Sequence, residues 1–285
     1  LSGYLSFILF VLGLVVIIKG SDWFISSSIR IAERLRIPSI IIGATLVSFG
    51  TTLPEFMVSV SSSFRGNSDI ALGNALGSIA FNTGVIMALV MLFAQLHMQT
   101  RRKLFSRGVL IIVLLLFLFL NALFVGSIMR VVGLVLLLIL CVYLYQNVRD
   151  IRNNNALGVD SGGALHRQGS VVQIAGFFIL GLFLTILGAN LMVSSGQVIA
   201  KIIGVPDLVI GLIMTAIGTS LPELFTALTA IAKRAYGITL GNILGANILN
   251  ILFVTGTSAA IRTITLQQDW VSFHLPYIIL KIPLI

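Results

Sequence analysis

The sequence predicts an all-α integral membrane protein built from two inverted-topology five-helix repeats. Three observations carry that prediction: an extreme apolar composition, apolar runs of membrane-spanning length, and internal self-similarity at one fixed shift. Of 285 residues, 58% are hydrophobic and only 9% charged, and the mean hydropathy is +1.09. A soluble domain carries about 25% charged residues. The net charge of +9 therefore belongs to loops that face anionic lipid, not to a nucleic-acid partner. The single cysteine, Cys141, lies in an apolar run and leaves no intrachain disulfide to form. No obligate protein partner is evident, and nothing in the pattern points to an enzyme.

A membrane helix needs about 20 mostly apolar residues. Runs of that kind place helices at residues 4–29, 38–64, 69–96, 108–124 and 129–146. A polar stretch rich in Asn, Gly and Arg follows. Helices resume at 171–199, 205–231 and 238–261, and a ninth starts near residue 270. The chain thus divides into a first transmembrane repeat (1–147), a linker (148–170) and a second repeat (171–285). The chain ends inside helix 9, so the second repeat is expected to be incomplete, without a tenth helix. The loops after helices 1, 3, 5 and 7 hold twelve Lys and Arg; the opposite loops hold four, Arg65, Arg130, Lys201 and Arg262. The positive-inside rule puts the richer face in the cytoplasm. The N-terminus is then expected outside, the linker inside, and the whole chain in the cell (inner) membrane.

The self-similarity appears at a shift of 168 residues. Residues 42–82 contain GTTLPE and GNALGSIAFN; residues 210–250 contain GTSLPE and GNILGANILN, with 14 of 41 positions identical and no gap. Five helices precede the linker, and an odd number turns the second repeat the other way up. Transporters with inverted repeats place their substrate near the midplane, where interrupted helices meet. The interruptions are visible: Gly50 and Pro54 disturb helix 2, and Gly218 and Pro222 disturb helix 7. Each proline removes a backbone N–H and strains the turn before it, which frees carbonyls near Gly50–Thr51 and Gly218–Thr219. Unpaired backbone at membrane depth must be satisfied by something else, and a bound cation does so.

Of nine acidic residues, only Glu55 and Glu223 lie mid-span in apolar helices, and they are repeat mates. A charge at the bilayer centre costs about 2.5–3.5 kcal/mol on insertion scales. No Lys or Arg shares their spans. A hard divalent cation would neutralise the pair, since Ca²⁺ takes six to eight oxygens from carboxylates, carbonyls, hydroxyls and water. Oxygen donors surround both: Ser48, Thr51, Thr52, Ser78, Asn82, Thr219, Ser220 and Asn250. A hydroxyl in a membrane helix more often bonds back to its own backbone, and Gly73, Gly77, Gly241 and Gly245 read as helix-packing residues. Asp69 reads as the N-cap of helix 3, and Asp22 as a helix-end contact. Two glutamates in repeat register read as function.

These paired motifs resemble the two alpha repeats of sodium/calcium exchangers, in the cation/calcium antiporter superfamily, and the resemblance covers almost the whole chain. The short linker resembles that of the prokaryotic type. The resemblance implies ten helices, four central ion sites in a diamond, and alternating access by sliding of helices 1 and 6. It implies Glu55 and Glu223 as the main calcium ligands, with the Thr51 and Thr219 carbonyls. Sodium sites would draw on the Ser48 and Ala216 carbonyls, the Thr52 and Ser220 hydroxyls, Ser78 and both glutamates, with Asn82 and Asn250 at the middle position. The chain departs from the pattern at Ala246, where relatives carry Ser, and at Asn250, where a potassium-dependent branch carries Asp. The final LPYIILKIPLI shows no clear family signal. The expected activity is exchange of Ca²⁺ for Na⁺, with no cofactor beyond the transported ions. Two alternatives stay open: H⁺/Ca²⁺ exchange, whose branch shows Gly-Asn-Ala before the glutamate, and a truncated remnant that does not transport.

Overall fold

The computed structural model describes residues 3–93, 101–156, 170–205 and 217–266, with Ser272, Leu275, Pro276 and Ile278. Helix α1 (Gly3–Leu35) is 33 residues long, several residues past the expected end. No Gly or Pro interrupts it between Gly20 and Pro38. It stops where Arg36 turns to φ 53 and the Ile37 N–H bonds back to the Ala32 carbonyl at 2.9 Å, the αL stop of a Schellman motif. The second span is broken as expected. It runs through α2 (Ser39–Ile42), a π-helical turn (Gly43–Val47) and α3 (Ser48–Thr51), then α4 (Leu53–Phe64), which departs at 45°. Pro54 stands at the second position of α4, where its missing N–H is one the helix leaves unpaired anyway.

The third span is α5 (Ser68–Phe81), a π turn (Asn82–Ile86) and α6 (Met87–Phe93). The residue before α5 is Asn67, so Asp69 does not hold the N-cap position it was assigned. Helices α7 (Arg101–Val125) and α8 (Arg130–Ala156) follow. Helix α8 takes up the first residues of the expected linker. That stretch carries neither Gly nor Pro until Gly158, so the helical ladder continues past the apolar segment. A capping box on Ser170 and Gln173 opens α9 (Val171–Ile202). The last described helices are α10 (Leu221–Ala232), α11 (Tyr236–Leu249) and, after a π turn at Asn250–Thr255, α12 (Gly256–Ile261). Among the described residues, six helical spans are apolar and long enough to cross a membrane, seven with the bent pair. An antiparallel ribbon of two-residue strands, Ser127–Ile128 (β1) and Ile264–Thr265 (β2), joins the ends of α7 and α12. The sequence carries no strand signal there, and most of the ninth expected helix lies outside the described residues.

Two packings position the site. Helix α11 is the central rod: from Ile238 to Leu249 every residue is buried. It lies backbone to backbone on the second span. A Cβ on Gly241 would strike the Ile40 carbonyl, and one on Gly245 would lie 2.7 Å from the Ala44 Cα and the Ser48 Oγ. Gly241 and Gly245 are packing residues, as expected. Helices α1 and α9 form a second unit through Gly13, Gly20, Gly181 and Gly188. A Cβ on Gly20 would lie 2.5 Å from the Thr185 nitrogen, and one on Gly188 2.5 Å from the Ile17 nitrogen. Gly181 and Gly188 are Gly13 and Gly20 shifted by 168, so the contact obeys the repeat. The outer face of α1 (Tyr4, Phe7, Ile8, Val11, Val15) is exposed and apolar, as a lipid-facing surface is.

The α1–α9 unit is tied to the rest at one end. Lys233, just after α10, pairs with Asp22 of α1 at 2.7 Å, and the Ser21 and Thr229 hydroxyls are 2.9 Å apart. Asp22 is thus a helix-to-helix contact. Its repeat mate is Asn190, and that of Lys233 is Arg65, so the opposite end has no carboxylate for the same bond.

Candidate cation site

The break between α3 and α4 sets the chemistry. The carbonyl end of α3 and the N–H end of α4 meet there, at Thr52 (φ −78, ψ −5). Glu55 lies in the first turn of α4, and Glu223 in the first turn of α10. The positive helix end favours a carboxylate, while freed carbonyls favour a cation. Both glutamates are buried, at 0% and 1% exposure.

Glu55 Oε1 accepts from Ser78 Oγ at 3.1 Å and from Ser220 Oγ at 3.3 Å. Ser220 also lies 3.0 Å from Ser78, and Asn250 Nδ2 donates to Ser78 at 3.2 Å. One hydrogen-bonded knot therefore joins α4, α5, α10 and the π turn after α11, with both repeats contributing. The Asn82 Nδ2 donates to Asn247 Oδ1 at 3.2 Å, and the Asn247 Nδ2 to Thr83 Oγ1 at 3.1 Å. The amide nitrogens of Asn82 and Asn250 are thereby held in protein bonds while their oxygens stay free. Both asparagines open a π turn, at repeat-related positions. The carbonyl of Asn250 is taken up five residues on by the Thr255 hydroxyl at 2.9 Å.

Six buried oxygens near this knot have no hydrogen-bond partner among the described residues: Thr52 Oγ1, Glu55 Oε2, both Glu223 carboxylate oxygens, Asn82 Oδ1 and Asn250 Oδ1. All six are acceptors. Leaving a buried polar atom unmatched costs about 1–3 kcal/mol, and more for a charge. A set rich in unmatched acceptors, two of its side chains carboxylates, suits a hard cation.

The other expected residues fall as follows. Ser48 is fully buried. Its carbonyl accepts the Thr52 N–H at 2.9 Å. Thr51 Oγ1 lies 3.3 Å from Asn242 Oδ1, and Thr219 Oγ1 donates to Asn74 Oδ1 at 3.1 Å. Ala216 lies outside the described residues. These threonine bonds expose residues that the site reading missed. Asn74 and Asn242 are repeat mates, and each takes the threonine of the opposite repeat. Asn74 also donates to the Glu55 carbonyl at 3.0 Å and to Ser59 at 2.9 Å; Asn242 donates to Thr226 at 3.4 Å. The preserved Gly-Asn pair was their signal. Asn247 gave none, because its repeat mate is Ile79.

Comparison with known proteins agrees with this architecture. The chain is 37% identical over 262 residues to the putative antiporter CaxA of Alkalimonas amylolytica, covering 87% of this chain and 78% of CaxA. It is 30% identical over 315 residues to the sodium/calcium exchanger MaX1 of Methanosarcina acetivorans, covering 96% of this chain and 88% of MaX1. The solved sodium-calcium exchanger NCX_Mj, soaked with Na⁺ and Sr²⁺, has the same fold at a TM-score of 0.84 and 28% identity, over 99% of this chain and 90% of that one. The sequence pattern of the family described as sodium/calcium exchanger protein matches residues 5–148 and 173–284. The match runs through the final LPYIILKIPLI, which corrects the reading that family signal is lost there. With its signature covering both repeats, the chain is a multi-pass membrane transporter that belongs to the sodium/calcium exchanger family.

Proposed function

We propose that this protein exchanges Ca²⁺ for Na⁺ across the cell membrane by alternating access. One observation carries the proposal: the unmatched, buried acceptor oxygens of Thr52, Glu55, Asn82, Glu223 and Asn250, drawn from both repeats. The two carboxylates supply up to two negative charges, enough for one Ca²⁺ or for Na⁺ in competition with it. Cargoes that cannot bind together give antiport. Thr51, Thr219, Ser48 and Ala216 are proposed to add backbone carbonyls, and Ser78 and Ser220 hydroxyls. The likeness to MaX1, described as a sodium/calcium exchanger, supports the choice of ions.

The α1–α9 unit is proposed as the part that slides. Its glycine contacts leave few interlocking side chains inside the pair, so the two helices move as one body against the rest. The richer positive face supports a cytoplasmic linker and an outer N-terminus. The test is Ca²⁺ uptake into vesicles driven by a Na⁺ gradient. Glu55→Gln and Glu223→Gln are each expected to abolish it, and full flux in either variant would sink the assignment. Uptake driven by a pH gradient without Na⁺ would replace Na⁺ with H⁺ as the coupling ion.

A further inference from the structure

The ends of α4, α8 and α12 border an open pocket of about 410 Å³. Ser63, Phe64, Arg130, Ile261 and Arg262 line it, and none of them belongs to the cation site. Arg130 and Arg262 carry like charges into one pocket. Neither side chain has an ion-pair or hydrogen-bond acceptor among the described residues. Two unpaired guanidinium groups facing one space repel unless an anion lies between them, and guanidinium forks match phosphate oxygens bidentately.

Three independent features show that the pocket is built. Ser63 lines the pocket and is only 3% exposed, and its Oγ has no hydrogen-bond partner among the described residues, so a buried hydroxyl at the pocket wall is left unmatched. Gly66 sits at φ 82, and a Cβ there would lie 2.7 Å from Arg262 Nη1, so the glycine leaves the guanidinium its place. The β1–β2 ribbon pins the chain just before Arg130 and just after Arg262, and the Leu266 N–H bonds to the Gly126 carbonyl at 3.1 Å. Arg130 is also the first residue of α8, whose N-terminal N–H groups add positive potential.

Depth points to the kind of anion. Arg130 opens one apolar span and Ile261 closes another, so the pocket lies at the level of lipid headgroups. Phe64 is 70% exposed beside it, an apolar wall of the same pocket. We infer that this pocket binds a phosphate group at headgroup depth, with Arg130 and Arg262 pairing its oxygens and Ser63 donating to it. An anionic phospholipid and a soluble phosphate share that chemistry.

The test is native mass spectrometry of the full chain with phosphatidylglycerol or phosphatidylcholine, alongside thermal melting with inorganic phosphate. Wild type is expected to retain phosphatidylglycerol over phosphatidylcholine. Arg130→Gln and Arg262→Gln should each weaken retention about tenfold, with Ca²⁺ flux in phosphatidylcholine vesicles intact as proof of folding. Ser63→Ala should weaken it several-fold and replaces any arginine variant that does not fold. Arginine-dependent lipid retention assigns the site to a headgroup. Arginine-dependent stabilisation by inorganic phosphate, with no lipid preference, assigns it to a soluble phosphate, and either result supports the site. Retention and melting that are the same in wild type and in all three variants would overturn it.

Discussion

Asn74 holds together three parts of the candidate cation site: the backbone of Glu55, the Ser59 hydroxyl and the Thr219 hydroxyl of the other repeat. Groups that orient metal ligands typically carry 10–100-fold in affinity. Asn74→Ala is therefore expected to weaken Ca²⁺ binding at least about tenfold and to lower stability by about 1–3 kcal/mol. Titration of the purified protein with Ca²⁺ checks this. Unchanged affinity with lowered stability would leave Asn74 a purely structural bridge. The contrast with Glu55 explains what could be read in advance. A carboxylate inside an apolar span is costly enough to announce itself, and its repeat mate repeats the announcement. An asparagine in the same span is ordinary. Asn74 and Asn242 stood out as repeated, but whether they bind ions or hold threonines depends on which helix faces them, and that is tertiary information. Asn247 lacks even the repetition.

The broken spans were legible because Pro54 and Pro222 carry a mechanism visible in one letter. The three π turns among the described residues were not. Each inserts one residue into the helical period, and in spans apolar on every face no periodicity exists to be displaced. The glycine ladder between α1 and α9 lies between these cases: its 168-residue repetition is in the sequence, its partner is not. It makes a sharp prediction. Gly20→Ala puts a Cβ 2.5 Å from the Thr185 nitrogen, and overpacking of this kind costs about 1–3 kcal/mol. Gly176, on the same helix α9, has nothing within 4 Å of its would-be Cβ; Gly176→Ala should be neutral or stabilise by up to about 1 kcal/mol, from helix propensity. Thermal melting of the two variants side by side tests the packing. Equal melting would mean that the α1–α9 contact is looser than its geometry.

Across the whole molecule the repeat governs the backbone itself. Among the described residues, four of the five at positive φ form two pairs 168 apart, Arg36 with Gly204 and Gly66 with Arg234. Helices of both repeats therefore stop at matching places. Against that regularity the Asp22–Lys233 pair is an exception, present at one end only. Both side chains are partly exposed, at 30% for Lys233 and 45% for Asp22, so the pair contributes about 0–1 kcal/mol. Asp22→Asn should barely change melting. It should shift the ratio of Ca²⁺ affinities at the two membrane faces by at most about fivefold, read in vesicles of known orientation; an unchanged ratio would remove the pair from the transport cycle. The pair also separates kinetics from driving force. A bond made in only one of two alternating states lengthens the dwell in that state and slows the step that leaves it. It cannot alter the ion gradients at which net movement stops, because a complete cycle makes and breaks the bond once each. Wild type and Asp22→Asn should therefore share one reversal point and differ only in how fast they approach it from either side.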